Sequence, residues 1–161
     1  MVILIDMTRI WQVSQEQQLS LVGVVNLRQL PNLHIFAIHA IINCDALEPV
    51  ILRDIVFVLS TIPKANQLTK LSLNFTVYGE HPFTGCLNED WVGMCVEVVR
   101  ISAGKLLELD LDMSIIPHSY DDRHLGQDGL YGRIKEKTAS LSDYPNICTH
   151  WHPHSDIWSN I

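Results

Sequence analysis

Three groups of residues in this chain have the types and spacing that chemistry needs. Glu108, Asp110 and Asp112 alternate along the string ELDLD. Alternate residues of an extended chain share one side, so these carboxylates form an acidic stripe. Paired carboxylates do acid–base work when a histidine or a metal stands beside them, and the neighbouring sequence supplies neither. Cys148, His150, His152 and His154 also alternate. Zinc takes cysteine and histidine in tetrahedral sets, but alternate residues of one strand stand ~6–7 Å apart. Two of them cannot share an ion without the chain folding back, so this stretch reads as an aromatic-rich, frayed tail. Asp121, Asp122 and Asp128 lack the alternating ligands and the distal glutamate of a calcium loop. Cys95 lies on the apolar side of a helical stretch and reads as a buried structural thiol rather than a nucleophile. The phosphate-loop, dinucleotide-binding, serine-hydrolase and zinc-protease motifs are absent. The expectation is a non-enzyme with no catalytic residues, no metal and no cofactor.

The elements that carry these residues follow from a repeat. Leu30–Ala40, Ala65–Phe75 and Ala103–Met113 share one pattern, in which Leu33, Leu68 and Leu106 begin an L-x-x-L-x-L spacing. Its central residues Ile38, Leu73 and Leu111 lie 35 and 38 residues apart. Weaker copies flank these at Ile5–Thr8 and at Tyr144–Ile147, where Ile147 aligns with Leu106. Each copy reads as a strand, because apolar and polar residues alternate. Between the strands lie helical stretches at 15–27, 49–61, 88–102 and 130–141. The second has Ile51, Ile55, Val58, Leu59 and Ile62 on one stripe, with Pro63 as its stop. The third turns Trp91, Met94, Cys95, Val98 and Ile101 inward and ends at Gly104 as a C-cap. Trp91 is expected beneath the strand at 71–75 or that at 109–113. Trp11, Trp151 and Trp158 lie nearer the ends and, if the chain is a fragment, read as exposed stumps of an interface with missing repeats. The segments 78–87 and 117–129 read as polar loops.

A strand–helix unit of this length cannot bury its own apolar face, and stacking the units buries a shared core. The expected fold is therefore α/β: a parallel sheet of four or five strands in sequence order, with the helices on the convex side. One repeat domain spans 1–150, and 151–161 form the tail. The 161 residues suit a single domain, and 47% hydrophobic with 18% charged residues is a globular composition. A net charge of −7 with no basic run argues against a nucleic-acid partner. No stretch approaches the ~20 apolar residues of a membrane span, and the apolar start MVILI is too short for an export signal. The four cysteines show no CxxC pair and read as reduced thiols of an intracellular protein.

The L-x-x-L-x-L spacing resembles the leucine-rich repeat in its long, irregular, helix-bearing form. The strings LPNLHIFAIHA and WVGMCVEVVRISAGKLLELDLDMS and the YPNI ending resemble the C-terminal regions of F-box-type proteins from mushroom-forming fungi. That resemblance implies a solenoid that recruits a protein substrate beside an adaptor-binding F-box, with ubiquitin-ligase components among its partners. The F-box itself is not seen, so the chain reads as a fragment or as a relative without the box.

Aligning the copies stacks the outward strand positions into rows on the concave face. Asp6, His39, Asn74 and Asp112 form one row. Leu4, Ala37, Ser72 and Asp110 form the next, and Thr8, Ile41, Thr76 and Ser114 a third. Lys70 and Glu108 stand at the edge. The polar members are the candidate protein-binding residues: Asp6, His39, Lys70, Ser72, Asn74, Thr76, Glu108, Asp110, Asp112 and Ser114. The alternative is a small α/β hydrolase or transferase fragment using Asp110, Asp112 and a loop histidine such as His81 or His118; a further one is a truncated product without activity. Strand order separates the first two, because a doubly wound enzyme reverses its order at the ligand site.

Overall fold

The computed structural model of the chain describes residues 1–6, 25–44, 51–79, 83–117 and 127–154. The expected helix at 15–27 falls mainly outside them, as do Thr8, Trp11, His81, His118, Asp121, Asp122 and Trp158.

Five strands form one parallel sheet in the order β1-β2-β3-β4-β5. They are β1 (Val2–Asp6), β2 (Ile35–Asn43), β3 (Lys70–Gly79), β4 (Leu107–Pro117) and β5 (Ile147–His154). The helices are α1 (Ile51–Ser60), α2 (Thr84–Asn88), α3 (Trp91–Ser102) and α4 (Gln127–Lys137), with a short 3₁₀ turn at Ala139–Asp143. A parallel neighbour requires a crossover. Crossovers of one hand, always stepping the same way, lay their helices on one face of the sheet. The burial agrees: every second residue of β2 and β3 is buried, and these residues share a single apolar cluster with Leu52, Ile55, Val98, Ile101 and Ile134 of the helices. Alternation thus puts one sheet face under the helices. The other face stays half-exposed among the described residues.

The expected register holds through the centre. Ile5, Ile38, Leu73 and Leu111 pair in one rung, and Trp151 of β5 extends it. Trp151 is correspondingly half-buried against the core, which corrects its reading as an exposed end residue. At the start of the third copy the structure differs. Leu106 is 72% exposed, whereas Leu107 is fully buried. Leu33 and Leu68, its counterparts, are buried. Two adjacent leucines compete there, and β4 begins at Leu107, whose parity matches Leu109 and Leu111 on the core side. Ile147 accordingly pairs with Leu107, not Leu106. The segment expected as a loop over 78–87 holds the end of β3 and most of α2. β5 reaches His154, so the sheet takes in the first residues of the expected tail.

Two neighbouring elements clamp α1. The Glu89 carboxylate accepts the N–H groups of Ile51 (3.2 Å) and Leu52 (2.9 Å) at its N-terminus. Arg100 of α3 donates to the carbonyls of Ile62 (2.8 Å) and Leu59 (2.7 Å) at its C-terminal end. Helix ends leave such groups without intrahelical partners, and their dipole attracts an anion at the start and a cation at the end. Burial pushes the Glu89 carboxyl above its ordinary value, against the two N–H bonds that favour its charge.

Asp90 caps α3 by accepting from the Gly93 N–H at 2.8 Å. A Cβ at residue 93 would stand 2.1 Å from that carboxylate, so glycine is what admits the cap. The helix ends on Ala103 (φ 45°) and Gly104 (φ 80°), both left-handed; the residue closing it is Ala103 rather than the expected Gly104. Trp91 lies beneath β3 as expected. Its ring meets Phe75 edge-on at 5.4 Å, and its Nε1 donates to the Cys86 carbonyl at 2.8 Å.

Candidate functional site

The candidate residues lie on the face turned away from the helices, because they occupy the strand positions of opposite parity to the core leucines. Pairing brings the expected rows together. Asp6, His39, Asn74 and Asp112 are consecutive partners across four strands, and Leu4, Ala37, Ser72 and Asp110 form the row beside them. Ile41, Thr76 and Ser114 form the third. Lys70 and Glu108 pair at the start of β3 and β4.

Contacts within the face follow from that register. His39 has Nδ1 4.0 Å from the Asp6 carboxylate and Nε2 3.3 Å from the Thr76 hydroxyl. Ser72 donates to the Asn74 side-chain oxygen at 3.4 Å. An open depression of about 260 Å³ lies among His39, Asn74, Thr76, Asp112 and Ser114. At the edge, the Lys70 ammonium sits 2.8 Å from Glu108 and 2.6 Å from Asp110. The hydrogen bonds to Asp110 and then Glu108 hold Lys70 well above the ordinary lysine range. The acidic end of the face is therefore partly neutralised by its own lysine, which the sequence stripe does not reveal.

No family model, no curated protein and no solved structure matches this chain. What the face can do is read from its own side chains.

β5 adds residues outside the candidate set. It pairs Cys148 with Glu108, His150 with Asp110 and His152 with Asp112. Among the described residues a histidine thus stands beside Asp110 from the stretch read as a tail; the loop candidates His81 and His118 lie outside those residues. The Cys148 Sγ is 3.4 Å from His150 Nε2, and the rings of His150 and His152 lie 6.4 Å apart and nearly parallel. The signal was present as the period-two alternation C-x-H-x-H-x-H. Reading it needed the knowledge that this strand docks on β4. Cys95 is buried, and burial raises its thiol pKa, which keeps it protonated and poorly nucleophilic. Among the described residues no helix is long and apolar enough to cross a membrane.

Proposed function

We propose that the chain is a non-catalytic protein-interaction module, a leucine-rich-repeat-like solenoid whose open sheet face holds a protein partner. The observation that carries this is the strand order. All five strands run in sequence order, without the reversal at which doubly wound enzymes bind their ligands. A sheet grown in one direction has one face under helices and one continuous face free to bind, the arrangement solenoids use for partners. The side chains of that face suit a polar, adaptable contact: His39, Ser72, Asn74, Thr76, Asp112 and Ser114 are all half-exposed. The resemblance to F-box-type proteins adds a partner class, a substrate protein presented to ubiquitin-ligase components.

The test is affinity purification of the tagged chain from its native cells under reducing conditions, followed by mass spectrometry. A partner retained by the wild type and lost with Asn74→Lys plus Asp112→Lys, at unchanged melting temperature, supports the binding face. Equal retention by the double variant refutes it. Recovery of ubiquitin-ligase adaptor subunits supports the F-box relation, and their absence from a specific partner set counts against it.

A further inference from the structure

Two parallel strands bring more donors to one point than a single strand does, and here the alternate side chains of a strand also lean together, contrary to the expectation from strand spacing alone. Alternate residues of a strand stand ~6–7 Å apart, but neighbouring strands lie only ~4.8 Å apart. At the junction of β4 and β5, the register sets Glu108 opposite Cys148 and Asp110 opposite His150. All four project from the open face, so they form a square of donor groups, two per strand. One ligand atom from each of Glu108, Asp110 and His150 lies within 4.8 Å of the others. Cys148 stands beside this trio rather than in it: its sulfur lies 3.4 Å from His150 Nε2, and a rotation about its Cα–Cβ bond is what would bring it in as a fourth donor.

We propose that Glu108, Asp110, Cys148 and His150 form a zinc site across β4 and β5. Carboxylate oxygen, imidazole nitrogen and thiolate sulfur are the donors zinc takes, in four-coordinate sets. The mixture of one soft, one borderline and two hard ligands suits zinc better than magnesium or calcium, which take oxygen alone. The site already attracts positive charge: the Lys70 ammonium lies on both carboxylates. Lys70 is a third exposed, and its flexible stem lets the ammonium withdraw into water. The zinc ion takes its place, so Lys70 is a built-in competitor that lowers the site's affinity. Zinc bound here ties β5 to β4 at the end of the sheet, and its two positive charges are offset by the two carboxylates and the thiolate that hold it.

The experiment is calorimetric titration of the reduced, chelator-treated chain with zinc chloride, and a parallel titration with cobalt(II) read by absorbance. The wild type is expected to bind one ion, and cobalt to give a thiolate-to-metal absorption that Cys148→Ser abolishes. His150→Ala and Asp110→Asn each weaken zinc binding at least ~10-fold, since each removes one ligand of four. Lys70→Met tightens it, while His39→Ala leaves it unchanged. These substitutions lie on the open face, and circular dichroism checks that each variant is folded. The proposal is overturned if the wild type takes up no zinc. It is also overturned if His150→Ala binds as well as wild type, which places any uptake on other donors. Because Asn74→Lys with Asp112→Lys leaves all four proposed ligands in place, loss of partner binding and loss of zinc binding are separable.

Discussion

Replacing Glu89 probes how the helix layer is tied down, and the structure predicts different outcomes for two substitutions. Glu89→Ala removes the acceptor of the Ile51 and Leu52 N–H groups. Leu52 is fully buried and residue 89 only 6% exposed, so water replaces that acceptor poorly. A buried group left without its hydrogen bond costs about 1–3 kcal/mol; Ile51 is only half-buried and recovers part of its share from water, so the two together cost about 2–4 kcal/mol. For a chain of 150–250 residues, 1 kcal/mol moves the melting temperature by about 2–4 °C. The alanine variant should therefore melt about 5–15 °C below wild type. Glu89→Gln behaves otherwise. Desolvation is the largest influence on this carboxyl and raises its pKa above 4.5. The folded chain thus holds the Glu89 proton more tightly than the unfolded chain does. The contribution of the group to stability is full below the unfolded value of about 4.5 and declines as pH rises toward the raised folded value. Glutamine cannot ionise but offers one acceptor oxygen where Glu89 uses two. With that oxygen on the buried Leu52 N–H it should lose about 1–2 kcal/mol near pH 4.5, less than alanine does, and gain on wild type as pH rises from there. Thermal melts followed by circular dichroism over that pH range measure both. An alanine variant that melts with wild type refutes the capping role. A glutamine variant as damaged as alanine refutes the desolvation account, because the charge itself is then what the helix needs.

Two further outcomes concern packing and backbone. Trp91→Ala removes a ring that is 1% exposed and packed edge-on against Phe75; denaturant unfolding should show a loss of about 3–5 kcal/mol, and a loss below about 1 kcal/mol contradicts the packing. Ala103→Gly should stabilise by about 0.5–1 kcal/mol, because Ala103 holds a left-handed φ of 45° that glycine adopts without a Cβ clash; a melting temperature unchanged or lowered speaks against that strain.

Much of the architecture is legible in the sequence alone. Ile38, Leu73 and Leu111 mark a period, and a period fixes which residues share a rung. That is why Asp6, His39, Asn74 and Asp112 emerge as one row. Amphipathic stripes identify helix faces in the same way, as Ile55, Val58, Leu59 and Trp91, Met94, Cys95, Val98 and Ile101 do, all buried. Such patterns are local and are set by the geometry of a strand or a helix turn. Where the pattern was ambiguous locally, it misled. Leu106 and Leu107 are equally apolar, and only the start of β4 decides which one enters the core.

The remainder is decided between segments far apart in the chain. Glu89 reaches α1 across 38 residues, and Arg100 binds the Leu59 carbonyl across 41. Neither carries a local motif, because a helix end accepts a charge from any segment that packs there. Lys70 neutralises carboxylates that the sequence presents as a bare acidic stripe. Cys148 and His150 gain carboxylate neighbours only because β5 pairs with β4. Spacing along one strand is fixed by the covalent chain at ~6–7 Å, which side chains can narrow by leaning together, as Cys148 and His150 do at 3.4 Å. Spacing between strands is fixed by backbone hydrogen bonding, and that shorter distance exists only once the sheet has formed.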